Sequence, residues 1–369
     1  MISVNNSSKS ILSILFSLLL FSVVISGCSS WANQREALET KVIFSEWQID
    51  TEKGGFKSTV SIAALGDDKK EILFGENSRI DGLKASPDGA KFAYLFDYDR
   101  LFVADIAGKN RFFVDDVVFG WPTWSPDGKR LAYVKLDYSS GNSKSTVAIY
   151  NLETGKKKIM QLGKYADLGC VVLDWYPDGE SVTVFAGGES MSSSTLFEVN
   201  VDNGKTKDIA KNAQSRGFTP SGYLNVVRAV NSSDTPNSVT GGWELWQGKD
   251  GRNLKEVIKG ALPSNFVTLS HDGEKLVYRK NYKKYGNQLF IADSDGNNEK
   301  RITDLDKYTE LLPLWSPDDK YIVFSAVKVR DHQPGAHLYY YDTETGKVST
   351  VIKGSKEPMN LGVIFSVYK

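Results

Sequence analysis

The chain has 369 residues, of which 41% are hydrophobic, 12% aromatic and 24% charged; that is longer than one compact core usually fills and not biased toward disorder, so several domains or a modular array are expected. Lys and Arg number 45 against 45 Asp and Glu, a balance without the cationic excess on which nucleic-acid binding or general membrane-surface attraction depends. With two cysteines, a disulfide framework is excluded as the source of stability.

Residues 1–27 read as an export signal and stand outside the fold. Lys9 and the amino terminus give the positive end, "ILSILFSLLLFSVVIS" the apolar run, and "ISGC" ends it at Cys28. This resembles a bacterial lipoprotein signal, which implies a diacylglycerol on the Cys28 thiol and a membrane-anchored protein facing out of the cytoplasm. Residues 28–40, the lipidated cysteine and "SSWANQREALET", then form a short polar tether.

Residues 41–74 read as three strands with turn signals between them. From Ala85 onward one unit recurs: "ASPDGAKFAYL" at 85, "WSPDGKRLAYV" at 124, "WYPDGESVTVF" at 175, "FTPSGYLNVV" at 218, "LSHDGEKLVYR" at 269 and "WSPDDKYIVFS" at 315. In the full form, Ser125-Pro126-Asp127-Gly128, Pro presets φ, Asp bonds its own backbone and Gly takes a positive φ, so a tight turn leads into an alternating, half-buried strand. The copies follow one another at about 46 residues, within the range of a propeller blade. A variable loop, a strand, a second tight turn such as "DTETG" and another strand complete each unit, giving strands A, B, C and D of one blade.

The amino-terminal segment has B, C and D strands without an A strand, and the last stretch, "LGVIFSVYK", reads as an A strand alone. Together they make one more blade. The expected fold is therefore all-β: a seven-bladed β-propeller over residues 41–369, of four-stranded antiparallel blades, closed by strands from both termini. Six blades, with the weak copy at 218–227 irregular, is the alternative.

"LFIADSDGNNEKRIT" followed by "LPLWSPDDKYIVFSA" resembles the repeat of the TolB-type, WD40-like β-propellers over residues 41–369. Resemblance to such propellers implies a protein-binding scaffold, the non-catalytic part of a peptidase or its accessory, or a carbohydrate-binding or carbohydrate-active propeller. TolB itself carries an α/β domain ahead of its propeller, where this chain has only the short tether.

Catalytic motifs are missing. "GESMS" at 188–192 lacks the last glycine of a nucleophile elbow and falls in a loop, and there is no phosphate loop, HExxH or CxxC. No catalytic residue, metal or cofactor is expected. His332 and His337 share a loop with Asp331 and Gln333, the nearest approach to metal-ligand spacing, and are read as a solvated loop. His271 is read as a turn residue, "DSDGNNE" as a turn between strands C and D, Cys170 as a buried small side chain, and the Trp of the repeat as blade-to-blade packing.

Antiparallel blades put the short A–B and C–D turns on one face and the B–C and D–A connections on the other. Nearly all the irregular length lies in the second class. Variable loops on a rigid scaffold are where binding concentrates, so this face is the expected site for a protein or peptide partner. Trp121, Tyr138, Tyr282, Tyr285, Arg330, His332 and His337 are its candidate contacts.

Overall fold

The computed structural model describes residues 40–49, 54–67, 69–139, 142–187, 194–219, 221–229, 243–262, 267–281, 287–305, 308–328, 336–352 and 360–368. Of the residues singled out above, Cys28, Tyr282, Tyr285, Arg330, Asp331, His332 and Gln333 lie outside them, as do 188–192. Among the described residues no helix is long and apolar enough to cross a membrane.

Seven four-stranded sheets account for the fold. Blade I contains β1 (Lys41–Ile49), β2 (Phe56–Ala64) and β3 (Lys70–Glu76), and blade II β4 (Ile80–Ala85), β5 (Lys91–Phe96), β6 (Arg100–Asp105) and β7 (Phe112–Asp115). Blade III runs β8 (Val118–Trp124), β9 (Arg130–Asp137), β10 (Lys144–Asn151) and β11 (Lys157–Gln161). Blade IV runs β12 (Gly169–Trp175), β13 (Ser181–Gly187), β14 (Thr195–Asn200) and β15 (Thr206–Lys211), and blade V β16 (Ala213–Phe218), β17 (Tyr223–Ala229), β18 (Trp243–Lys249) and β19 (Lys255–Leu262). Blade VI runs β20 (Val267–Leu269), β21 (Lys275–Asn281), β22 (Asn287–Asp293) and β23 (Lys300–Arg301), and blade VII β24 (Tyr308–Trp315), β25 (Tyr321–Lys328), β26 (Ala336–Asp342) and β27 (Val348–Ile352). The last strand, β28 (Asn360–Tyr368), returns to blade I and pairs antiparallel with β1, from Lys41↔Tyr368 to Gln48↔Asn360.

The expected seven blades and their closure by both chain ends are what the structure has. The weak copy at 218–227 forms a complete blade; its register shift between Ser215 and Phe218, where β16 meets β17, recurs in the first strand pair of blades II, III, IV and VII. The first strands of the blades, β4, β8, β12, β16, β20, β24 and β28, each touch the next and close a ring around a central channel.

The recurring turn explains why each unit folds alike. Ser125 Oγ donates to Asp127 Oδ1 at 2.5 Å and accepts from the backbone N–H of Arg130 at 2.9 Å. Ser86, Ser270 and Ser316 repeat both contacts. The fourth position needs a left-handed backbone, supplied by Gly128 at φ +69° and, in the last copy, by Asp319 at φ +57°. Asp319 uses its side chain to accept from the backbone N–H groups of His271 and Asp272 at 2.8 and 2.9 Å, tying turn VII to turn VI. His271 is thus an exposed turn residue, as read.

Seven apolar clusters occupy the seven blade interfaces among the described residues. Trp124, Trp175 and Trp315 belong to three of them and are 6 to 7% exposed. Each donates its indole N–H to a carbonyl of the preceding blade: Trp124 to Lys84 at 3.0 Å, Trp175 to Thr123 at 3.1 Å and Trp315 to Thr268 at 3.3 Å. The repeat tryptophans pack blade on blade, in agreement with the sequence. Cys170 is fully buried in the cluster between blades III and IV, and burial pushes its thiol up to about 11.

Candidate binding face and central channel

Strand order places the B–C and D–A connections on one face of the ring, and aromatic side chains gather there on blades I to III. Arg79, in the D–A connection before β4, is the centre of the first group. Its guanidinium carbon lies 4.3 Å from the Trp47 ring centroid, 5.0 Å from Tyr98 and 6.0 Å from Phe56. Phe56 meets Trp47 edge-on at 5.6 Å and Tyr98 at 6.3 Å. Trp47 lies near the end of strand B of blade I, Phe56 begins its strand C, and Tyr98 lies in the B–C turn of blade II, so the ends of two B–C connections meet a cation carried by the D–A connection between them.

Arg79 Nε is also 2.5 Å from Asp81 Oδ2. Burial raises the Asp81 carboxyl above the ordinary carboxylate value, against the lowering effect of Arg79. Tyr98 is 49% exposed and holds φ +74°, next to Asp97 at φ +56°. A bulky residue in the left-handed region is unfavourable, with strain of order 1–3 kcal/mol, and such strain concentrates at functional positions. Cation–π contact with Arg79 offsets part of that cost. The Trp47 indole N–H is buried without an acceptor among the described residues.

Trp121 continues this surface toward the channel. It lies in the middle of β8, 48% exposed. A Cβ placed on Gly82 of β4 would come within 3.1 Å of Trp121 Cδ1, and Gly82 has φ +61°. Glycine here serves both a left-handed backbone and the close approach of the indole. Tyr138, 56% exposed, starts the B–C connection of blade III, and Phe119, near the beginning of β8, is 45% exposed. His337 is half-buried on β26, its ring 6.0 Å from that of Tyr339. It stands in blade VII, apart from the aromatic group on blades I to III. Among the described residues no group of three His, Cys, Asp or Glu side chains is placed to hold a metal ion.

Charged groups enter the channel wall at the other end of the inner strands. Lys84 of β4, Thr123 of β8, Asp174 of β12, Gly217 of β16, Thr268 of β20 and Leu314 of β24 occupy equivalent positions, two residues before the first residue of the recurring turn. Asp174 accepts from Ser215 Oγ, and its neighbour Arg216 donates to Ser215 O at 3.0 Å and Gln214 Oε1 at 2.8 Å. Burial lowers the pKa of both Lys84 and Arg216, and in each case the Asp174 carboxylate opposes it.

Sequence reading named Trp121 and Tyr138 on this face but missed Arg79, Trp47, Phe56 and Tyr98, none of which lies in a long loop. It also missed Lys84, Asp174 and Arg216. Aligning the six turns would have placed the first two of these on equivalent positions of the inner strands.

Fold and face together define a seven-bladed β-propeller with a cluster of aromatic side chains at one rim. No family model matches the chain. Over 63 residues, 16% of this chain, it is 40% identical to the Tol-Pal system protein TolB of Actinobacillus succinogenes, and that match spans 14% of the relative's length. The propeller repeat is TolB-like over that stretch. Among solved structures, an oligogalacturonate lyase in complex with manganese superposes with a TM-score of 0.62 at 13% identity, covering 82% of this chain and 92% of that one. The β-propeller domain of the Trilobed protease from Pyrococcus furiosus gives 0.59 at 11% identity, covering 85% and 93%. At such identities these structures share the fold alone.

Proposed function

We propose that the chain is a lipid-anchored scaffold of the bacterial cell envelope, whose propeller binds a protein or peptide partner on the B–C/D–A face and performs no chemistry on it. The observation that carries this reading is the arginine–aromatic rim, in which exposed Tyr98 and Trp121 accompany half-buried Arg79 and Trp47. Trp, Tyr and Arg are the residues that dominate binding energy at protein interfaces, and a rigid ring presents them at little ordering cost. The strain held at Tyr98 also fits a side chain kept for what its ring contacts. Cys28, at the end of the lipoprotein-like signal, would carry the anchor, and the tether to residue 40 would hold the ring near the membrane.

Testing this requires the partner recovered from cells by cross-linking and affinity purification of the tagged protein, with Cys28→Ser as the unanchored control. Trp121→Ala and Tyr98→Ala should each lower recovery of that partner at least tenfold, since a central aromatic anchor is worth about 2 kcal/mol or more. Recovery at the wild-type level from both variants would refute the assignment of this face.

A further inference from the structure

The interface between blades VI and VII is packed unlike those that precede blades II, IV and VI. In these three blades the glycine of the C–D turn sits on an apolar side chain from the outermost strand of the blade before it. A Cβ on Gly108 would meet Leu73 Cβ at 2.7 Å, one on Gly204 would meet Met160 Cβ at 3.5 Å, and one on Gly296 would meet Ile258 Cδ1 at 3.3 Å. Blade VII breaks this pattern. The outermost strand before it, β23, has only two residues, and nearest to a Cβ on Gly346 are Tyr341 Oη at 3.7 Å and Lys300 Nζ at 3.8 Å.

Both side chains line a cleft of about 410 Å³, a size typical of small-molecule sites. Trp315 and Ile291, from the cluster between the two blades, form its apolar part together with Ala292. It opens among the A–B and C–D turns, on the face opposite the aromatic rim.

The polar groups of the cleft are not equally free. Lys275 pairs with Asp293 at 2.5 Å, and Asp293 also accepts from Asn298 Nδ2 at 2.6 Å. Asp272 accepts from Ser270 Oγ at 2.6 Å and from the backbone N–H of Glu274 at 2.9 Å, while Asp319 holds turn VI. Among the described residues the Lys300 ammonium makes no hydrogen bond or ion pair, and the hydroxyl of Tyr341, a residue only 4% exposed, has no partner either. A donor on a buried side chain gains from any acceptor that reaches it. Two donors bordering one glycine match the two oxygens of a carboxylate, and the nearby Asp272 and Asp319 disfavour a doubly charged phosphate by like-charge repulsion.

We propose that this cleft binds a small organic acid, its carboxylate held by Lys300 Nζ and Tyr341 Oη and its apolar body lying against Trp315 and Ile291. It is a second site, separate from the partner-binding face, and it takes a ligand of metabolite size.

Isothermal titration calorimetry of the full chain with naphthylacetate tests this, beside naphthylacetamide, which lacks the charge, acetate, which lacks the apolar body, and naphthyl phosphate. Naphthylacetate should bind about tenfold more tightly than the amide or acetate, and more tightly than the phosphate. Lys300→Met, which supplies the kind of apolar contact that Met160 makes with Gly204, should lower the affinity about tenfold while the melting temperature stays equal or rises. Tyr341→Phe, which removes only the hydroxyl, should lower it about threefold. Equal binding of acid and amide, an unchanged affinity in Lys300→Met, or no binding at millimolar naphthylacetate would overturn the proposal. Tighter binding of naphthyl phosphate would overturn the assignment of a carboxylate.

Discussion

Asp115, 3% exposed at the end of β7, bridges blade II to blade III. Its carboxylate accepts from Tyr133 Oη at 2.8 Å and pairs with Lys135 and Lys157 at 2.6 Å each, while Lys135 also reaches Asp116 at 2.9 Å. Burial alone would raise its pKa, but the donors from Lys135, Lys157 and Tyr133 outweigh it and hold the carboxyl below the ordinary value. The folded pKa is depressed, so the stabilisation is present above the unfolded value of about 4 and is lost as pH falls through the folded pKa. Asp115→Asn should cost about 2 kcal/mol at pH 7, less than a fully buried pair because both lysines are partly in water. Urea unfolding at pH 7 and at pH 3 checks this: the gap between variant and wild type should shrink at the lower pH. A constant gap would mean that the carboxylate's charge contributes nothing.

Among the elements, the inner strands do two jobs, and the tryptophan preceding the recurring turn links them. Its ring fills the blade interface, while its N–H holds the carbonyl of the previous inner strand, so neighbouring blades are fixed in height as well as in spacing. Trp124→Phe, which keeps most of the apolar area and loses the bond to Lys84 O, should cost about 1 kcal/mol. Trp124→Ala should cost about 3–5 kcal/mol through the cavity it leaves. Equal losses in the two variants, measured by denaturant unfolding, would show that packing contributes nothing beyond the hydrogen bond.

These strands were legible because Pro, Asp and Gly mark each turn and an alternating strand follows. The outermost strand of blade VI was less so. β23 has only two residues, because the Gln288 side chain replaces part of the ladder, accepting from Thr303 Oγ1 at 2.9 Å and donating to Leu305 O at 2.8 Å. No periodicity reports such a substitution of side chain for backbone. The rim around Arg79 was hidden for a related reason: it depends on a left-handed B–C turn and on the approach of two blades, neither of which a local pattern encodes.

At the scale of the molecule, β28 is what closes the ring. Seven copies of its role are needed, and six come from contiguous units; the seventh is borrowed from the far end of the chain, as the missing A strand near residue 41 and the isolated final strand implied. Removing residues 360–369 should leave the β1 edge unpaired and the I–II and VII–I interfaces open, exposing Val42 and Phe44, which are fully buried in the intact ring. Calorimetry of the truncated protein should show loss of the single cooperative transition, and light scattering should show association through the bared edge. A truncated monomer melting like the intact chain would mean that closure contributes little to stability.

Closure also makes the ring a fixed frame with two unlike faces, and the proposed function places binding on the B–C/D–A face. The most direct measurement is site-specific photo-cross-linking in cells, with the reactive amino acid placed in turn at Tyr98, Trp121 and Tyr138 on the B–C/D–A face and at Asp88, Asp127 and Asp178 in the opposite turns. Cross-links to one discrete protein from the first three positions and none from the last three is the predicted result. The same protein captured from the turn positions, with the aromatic positions silent, would put binding on the opposite face.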